Sequence, residues 1–206
     1  MTQSLTKGRV VSMDCKRMSE LKEIRQEVLK DSKTFHLMFP RHLGFAPAIA
    51  HCYHFANWIT PAPYQRRYNT HFFIAITKDP HIRPLPDESE ISSAFFATPD
   101  EILTQFQEKT IKLFPPQFYL IKEISKYYNI HDLVKQIQTS QVEPVTPEIE
   151  KIESKYTIYL PGDFKHSSSN GNENITLRRM ILDGSPMDNS FTNIELIEEN
   201  MNKPKL

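Results

Sequence analysis

The sequence predicts a protein of mixed helices and strands, α/β in its α+β form, with a short β-rich tail at the C-terminus. Amphipathic segments with capping residues alternate with short runs of β-branched and aromatic residues. Prolines and polar residues separate these segments, and the chain after residue 142 shows only short strand-like pieces. The 206 residues leave room for one domain with a hydrophobic core and an appendage.

The first part of the sequence predicts a flexible leading segment, a helix and a hairpin. Residues 1–18 are polar and patternless, which predicts a flexible lead. Ser19 is a suitable N-cap for an amphipathic helix, and Pro40 and Pro47 break the helical pattern that follows. The next predicted elements are two strands joined by the turn PAPYQ, residues 48–60 and 66–77.

The middle of the chain predicts a third strand and further helices. Residues 91–97 (ISSAFFA) have strand composition. Thr98 followed by Pro99 and two acidic residues is typical of a helix start. Residues 115–138 predict one helix, or two with a break near Asn129. The tail adds three strand-like pieces, residues 156–163, 174–183 and 191–199.

The overall composition restricts the class of partner and the compartment. Twenty-five Lys and Arg are balanced by 25 Asp and Glu, so no net field attracts nucleic acid or an anionic membrane. Two cysteines suit a reducing compartment, and no apolar run is long enough to span a bilayer. We therefore expect an intracellular protein without a nucleic-acid partner and without a membrane span, in which a specific anion pocket remains open.

Two short clusters could carry chemistry, and each has a simpler interpretation. In HCYH, His51 and His54 would point to opposite faces of a strand, so zinc is not expected there. Cys52 as a nucleophile would need a base within hydrogen-bond reach, which nothing in the local sequence identifies, so it is interpreted as a small buried thiol. The acidic residues 87–90 could hold Mg²⁺ or Mn²⁺, or form a charged loop.

The arginine pair Arg66 and Arg67 could bind phosphate through the planar guanidinium fork, or flank the turn as solvated charges. Neither GxxxxGK[ST] nor GxGxxG occurs in the sequence, so the nucleotide-binding folds that use these glycine-rich loops are not expected.

Five motifs in order resemble one known family. NWITP, RRYNTHFFIAI, EISSAFFATPDEIL, LFPPQFY and YLPGD are similar in order and spacing to the part of acyl-coenzyme A diphosphatase Nudix hydrolases that follows the catalytic box. The resemblance runs from Leu21 to Asp163. It implies a partial Nudix fold, with a mixed sheet flanked by helices. On this basis residues 19–141 are the C-terminal portion of a Nudix domain, and residues 142–206 are an extension.

The resemblance also implies an activity and a set of site residues. Members of this family use Mg²⁺ or Mn²⁺ to cleave the pyrophosphate of coenzyme A or acyl-coenzyme A, giving adenosine 3′,5′-bisphosphate and (acyl-)4′-phosphopantetheine. Glu90 matches a glutamate that can contribute to the metal site, and no catalytic residue is assigned. The expected substrate-binding residues are Arg66, Arg67, Gln117 and Phe118.

The Nudix box itself, G-x5-E-x7-R-E-U-x-E-E-x-G-U, has only one near match, which starts at Gly8. Glu23 and Glu27 fit it, but four positions depart from it: Asp14, Lys22, Gln26 and Leu29. In a second alignment, which we favour, these residues are the helix after the box, and the box would lie before the first residue. The expected protein is then an impaired relative of the hydrolase, or alternatively a non-catalytic coenzyme A- or nucleotide-binding or regulatory module. A third alternative is a fragment that folds poorly alone.

The last three residues, Pro204, Lys205 and Leu206, resemble a peroxisomal targeting tripeptide with proline at the position that is normally small. This predicts import into the peroxisome through its receptor. Without that signal, the expected locations are the cytoplasm and the mitochondrion.

Overall fold

A computed structural model describes residues 15–44, 49–62, 64–77, 93–169 and 176–200. By its internal contacts the chain divides into two units, Met1–His51 and Cys52–Leu206. None of the helices in the described ranges is long and apolar enough to cross a membrane.

The first unit contains two helices, α1 (Cys15–Lys30) and α2 (Phe35–Leu43), which pack against each other. Helix α1 begins at Cys15, ahead of the predicted Ser19, so residues 15–18 are helical and not part of a flexible lead. The rest of that lead, residues 1–14, lies outside the described residues. The predicted break at Pro40 is wrong, because α2 runs through Pro40. It ends at Gly44, whose left-handed φ of 71° lets its N–H donate to the Pro40 carbonyl (3.2 Å).

The second unit begins with the predicted hairpin. Strands β1 (Cys52–Ile59) and β2 (Asn69–Ala75) pair antiparallel, and Trp58 lies opposite Thr70. A short strand β3 (Pro144–Val145), which was not predicted, pairs parallel with β1. The sheet in the order β2-β1-β3 is therefore mixed, as expected.

The predicted third strand is wrong over the part that the structure describes. Residues 93–97 have no regular secondary structure, and Phe95 and Phe96 are exposed. Aromatic composition favours a strand only where a neighbouring strand offers a ladder, and none of the described strands pairs with this segment.

Three helices follow, α3 (Pro99–Gln107), α4 (Pro115–Ser125) and α5 (Ile130–Thr139), and α3 begins after Thr98 as predicted. Thr98 and Glu101 form a reciprocal capping box, in which the Thr98 hydroxyl accepts from the Glu101 N–H (3.2 Å). Asn129 accepts from the Asp132 N–H (2.9 Å), which confirms the predicted break between α4 and α5.

The C-terminal tail forms a complete four-stranded antiparallel sheet. Its strands are adjacent in chain order: β4 (Glu148–Ile152), β5 (Lys155–Tyr159), β6 (Thr176–Asp183) and β7 (Asn193–Asn200). Strands β5, β6 and β7 correspond to the three predicted pieces, whereas β4 was not predicted. The fold is thus α+β, with sheets and flanking helices.

One hydrophobic core joins the hairpin, the helices and the C-terminal sheet. Trp58 of β1 contributes to it together with side chains of α3, α4, β5, β6 and β7. The most deeply buried members on the C-terminal sheet include Leu160, Met180 and Leu182. The tail is therefore part of the same packed structure as the hairpin. The remaining buried members of the cluster are Leu103, Phe106, Phe118, Tyr119, Leu120, Ile158, Phe191 and Ile194.

Candidate ligand-binding cleft

A cleft of about 460 Å³ opens beside the hairpin in the second unit. Three groups of residues line it: the ends of β1 and β2 with their turn, the start of α4, and the C-terminal sheet with its loops. From the first two groups come Trp58, Ile59, Thr60, Pro61, Tyr64, Arg66, Tyr68, Thr70, Phe72, Phe114, Pro115 and Pro116.

The motifs that are far apart in the sequence meet at this cleft. NWITP contributes Trp58 and Pro61, the arginine segment contributes Arg66, and LFPPQFY contributes Pro115 and Pro116. The hairpin turn is closed by a hydrogen bond from the Thr60 N–H to the Tyr68 carbonyl (2.9 Å).

The two arginines of the pair have different environments. Arg66 lines the cleft with an exposed side chain, and it forms no hydrogen bond or ion pair with any residue that the structure describes. Arg67 Nε donates to the Thr60 carbonyl (2.9 Å), which fixes the turn. Among the described residues the Arg66 guanidinium thus has no partner that would compete with an anion, whereas Arg67 is used in the hairpin.

The other two expected substrate-binding residues have contacts within the protein. Gln117 Oε1 accepts from the Phe114 N–H (3.0 Å) at the start of α4. Phe118 is buried, and its ring lies 5.2 Å from that of Phe106. Neither lines the cleft, although Pro115 and Pro116 from the same motif do. A substrate-binding role for all four residues stays a prediction.

The cleft is mainly apolar. Arg66 is the one charged residue among the described residues that line it. Burial raises the pKa of the half-buried Tyr64 phenol, so this hydroxyl stays neutral and can act as a hydrogen-bond donor around pH 7. A ligand that combines an anionic group with an extended apolar or weakly polar part would match this lining.

Sequence reasoning missed the far wall of the cleft. It consists of residues from the C-terminal sheet and its loops, all outside the five recognised motifs, although Ile158 lies in the predicted strand piece of residues 156–163. The alternation of apolar residues in β5 could have indicated that Ile158 faces inward, but no local signal indicates which cavity it faces. The residues of this wall are Pro147, Ile149, Ile158, Pro186 and Asn189.

The described residues do not assemble a metal site. Glu90 lies outside them, and Glu23 and Glu27 are exposed on α1 in the first unit. Within the described ranges, no group of three or more His, Cys, Asp or Glu side chains is arranged to hold a metal ion. Nudix hydrolases generally use divalent cations, but the side chains described here do not fit one, so we derive no catalytic step through a metal.

The structure of the HCYH segment, residues 51–54, differs from the one expected from the sequence. Cys52 is exposed, so the expected buried thiol is wrong, since Cys52 is the first residue of β1 and lies at the end of the sheet. His54 faces His71 across the hairpin, with 3.0 Å between His54 Nε2 and His71 Nδ1. One imidazole therefore donates to the other.

The LPGD motif fixes the connection from β5 to β6. Asp163 is fully buried and accepts four hydrogen bonds: Nε and Nη2 of Arg179 (2.8 and 2.7 Å) and the backbone amides of Lys165 (2.9 Å) and Arg178 (2.8 Å). The Arg179 guanidinium also lies over the Tyr159 ring, 4.9 Å from its centroid. This motif therefore acts as a structural anchor.

Opposing effects act on the Asp163 carboxyl. Burial alone would raise its pKa, but the hydrogen bonds from Arg179 and the two amides outweigh burial and hold the pKa below its usual value. The carboxylate is thus charged at neutral pH and compensates the charge of Arg179.

The α+β fold and the motif-lined cleft are those expected of a Nudix-type domain. More specifically, the family model described as the NUDT19 Nudix domain matches residues 3–124, which is more than half of the chain, so the chain belongs to this family. This match does not test the predicted domain boundaries at residues 19 and 141, which stay predictions.

Several curated proteins are similar to this chain. Acyl-coenzyme A diphosphatase NUDT19 of Gallus gallus is 32% identical over 123 residues, 57% of this chain and 32% of that protein. The Homo sapiens protein of the same name is 32% identical over 114 residues, 54% of this chain and 30% of that protein. The Xenopus laevis protein is 29% identical over 152 residues, 70% of this chain and 39% of that protein. The alignments thus span about a third of these relatives' length, and no solved structure matches.

Proposed function

We propose that this chain is a Nudix-type relative of acyl-coenzyme A diphosphatases that binds coenzyme A or acyl-coenzyme A in the cleft, and that its own cleavage of the pyrophosphate is impaired. The observation that carries the proposal is the cleft itself, which family motifs line and in which Arg66 lies beside apolar walls with no ion-pair partner among the described residues. The similar proteins are named acyl-coenzyme A diphosphatases.

The lining suits the chemistry of such a ligand. Coenzyme A carries phosphate groups at one part and a long, weakly polar pantetheine arm at another. A guanidinium offers a fork of donors that matches phosphate oxygens, and it stays charged at every physiological pH. The prolines, Trp58, Phe72 and Phe114 can cover the less polar parts of the ligand.

The impairment is argued from the one near match to the box, which is the less favoured of the two alignments of these residues. Lys22, Gln26 and Leu29 replace the Arg, Glu and Gly of the box in the one near match. Glu23 and Glu27 remain, four residues apart on α1 and both exposed. A hard divalent cation binds firmly only where several oxygen ligands converge, and two exposed glutamates do not provide this.

Hydrolysis should be measured first. With Mg²⁺ or Mn²⁺, we expect no release of adenosine 3′,5′-bisphosphate from coenzyme A above the rate without protein, because the described carboxylates do not form a metal site. Turnover that disappears in Glu23→Gln or Glu27→Gln but persists in Glu108→Gln, an exposed glutamate at the C-cap of α3, would contradict the impairment and identify a working degenerate box.

Binding should be measured by calorimetric titration with coenzyme A. Arg66→Ala is expected to weaken binding about 10- to 100-fold, since a charge-assisted hydrogen bond to phosphate is lost. Arg66→Lys should retain part of the affinity, because lysine keeps the charge without the fork. Lys135→Ala, which removes an exposed cation away from the cleft, serves as the control. Absence of saturable binding to the unmodified protein would contradict the proposal.

The alternative is a non-catalytic coenzyme A- or nucleotide-binding or regulatory module. It is favoured by the contrast between a well-formed cleft and the lack of a metal-binding group among the described side chains. Metal-dependent turnover would exclude this alternative, whereas binding without turnover agrees with both accounts. Import into the peroxisome through Pro204, Lys205 and Leu206, which lie outside the described residues, stays a separate proposal.

A further inference from the structure

We propose that Asn189, in the turn between β6 and β7, contacts the ligand in the cleft and determines specificity by pairing with an amide-like donor and acceptor on a phosphate-bearing ligand. This inference rests on the proposed function, because it assigns a role in the same cleft. It concerns a segment beyond residue 124, where the family match ends.

Asn189 lines the cleft next to Pro186, and its backbone has a left-handed φ of 59°. Asparagine is among the few residues besides glycine that adopt this conformation readily. The conformation alone would explain an asparagine at this position, whereas a role toward the ligand requires a fixed turn and a carboxamide that the protein does not use itself.

The turn around Asn189 is held by its own hydrogen bonds. The Ser185 N–H donates to Ser190 Oγ (3.2 Å), and the Ser190 N–H donates to Asp188 Oδ1 (3.0 Å). Gly184, with a φ of 99°, lies so close to Phe191 that an added Cβ would be 2.9 Å from its backbone Cα. A rigid turn presents its side chains in one arrangement, which a specificity residue requires.

Lys112, in the segment before α4, contacts the turn and stabilises it. Its Nζ donates to the Asn189 carbonyl and lies 4.6 Å from the centroid of the Phe191 ring. The same segment continues into Phe114 and Pro115, which line the cleft. The backbone of Asn189 is thus used by the protein, whereas its carboxamide has no hydrogen-bond partner among the described residues.

A carboxamide offers one acceptor and two donor hydrogens, so it recognises groups that combine N–H with C=O or a ring nitrogen. Together with Arg66, it would select a ligand that has both a phosphate and such a group. Coenzyme A has this chemistry twice, in the amides of pantetheine and in the edge of adenine, and the two sources can be separated experimentally.

The test uses calorimetric titration of the full chain with coenzyme A. Asn189→Gly keeps the left-handed turn and removes only the carboxamide, so we expect about 3- to 10-fold weaker binding at an unchanged melting temperature. Asn189→Asp should weaken binding further, because its carboxylate repels the phosphate groups. Met187→Ala, an exposed neighbour in the same turn that does not line the cleft, should bind as the unmodified protein does.

Titration with 4′-phosphopantetheine and with adenosine 3′,5′-bisphosphate identifies whether Asn189 contacts the pantetheine amides or the adenine edge. Only one of these two ligands should bind Asn189→Gly more weakly than it binds the unmodified protein. Unchanged coenzyme A binding in Asn189→Gly, beside weakened binding in Arg66→Ala, would overturn this inference and leave the proposed function standing. An equal loss for both halves with a lowered melting temperature would mean that Asn189 is a turn residue only. If the unmodified protein does not bind coenzyme A, both proposals fail.

Discussion

Replacing Asp163 with alanine is expected to lower the free energy of unfolding by about 3–5 kcal/mol, the range for removing one partner of a buried ion pair. The carboxylate is fully buried and accepts hydrogen bonds from Arg179 and from two backbone amides. Its loss would leave the Arg179 guanidinium, whose side chain is only 14% exposed, without its hydrogen-bonded counter-charge. Urea denaturation at neutral pH measures the effect.

Asp183→Ala provides the matched control for Asp163→Ala. Asp183 forms an ion pair with Lys155 (3.1 Å) in which both side chains are about half exposed. Solvent screens such a pair, so its loss should change the free energy of unfolding by about 0–1 kcal/mol. Equal losses in the two variants would show that the buried pair contributes no more than an exposed one.

Protonation of the Asp163 carboxylate should make the free energy of unfolding depend on pH in the acid range. Its pKa is lower in the folded than in the unfolded chain, so its contribution is present above the unfolded value near about 3.9 and is lost as the pH falls through the folded value. The free energy of unfolding should therefore fall below about pH 4. Asp163→Asn, which has no proton to bind there, should show a smaller fall.

Replacing Trp58 with alanine is expected to cost about 3–5 kcal/mol of stability, the range for truncating a buried large aromatic residue. The side chain is 4% exposed, and its ring lies 5.5 Å from that of Tyr119 in the shared core. Trp58 also lines the cleft, so the variant should bind coenzyme A more weakly as well. Because it is the single tryptophan of the chain, unfolding should be followed by circular dichroism.

Trp58→Phe separates aromatic packing from the indole N–H. The indole Nε1 is buried and has no acceptor among the described residues, so phenylalanine removes no hydrogen bond and keeps most of the packing. The expected loss of stability is clearly smaller than in Trp58→Ala. Tyr128→Ala, at a fully exposed aromatic residue, should have almost no effect. A Trp58→Phe protein as unstable as Trp58→Ala would mean that the N–H has a partner.

Local chemistry made several elements predictable from the sequence. The start of α3 followed from Thr98, because an N-cap acts on amides only two or three residues away, and Asn129 marked the break that one of the two alternatives for residues 115–138 contained. The hairpin followed from two β-rich segments around a proline turn. Arg66 was identified as a candidate because its residue type suits phosphate, and the structure places it at the cleft.

The features that the sequence did not indicate depend on contacts between distant residues. Strand β3 exists because Pro144 and Val145 pair with β1, and its two residues carry no strand pattern of their own. Residues 93–97 have that pattern but lie beside no described strand. The position of Asn189 in the cleft depends on Lys112 and on the docking of the C-terminal sheet, neither of which can be inferred from nearby residues.

The parallel pairing of β1 with β3 has a consequence for the order of folding. Asn57 meets Pro144, and Trp58 meets Val145, so this contact closes a loop that contains α3, α4 and α5. Closing a long loop costs chain entropy before the contact compensates for it. We therefore expect the β1–β2 hairpin and the β4–β7 meander to form early as local units and to join late. The cleft exists only after they join, and a ligand that occupies it would selectively stabilise that last-formed arrangement.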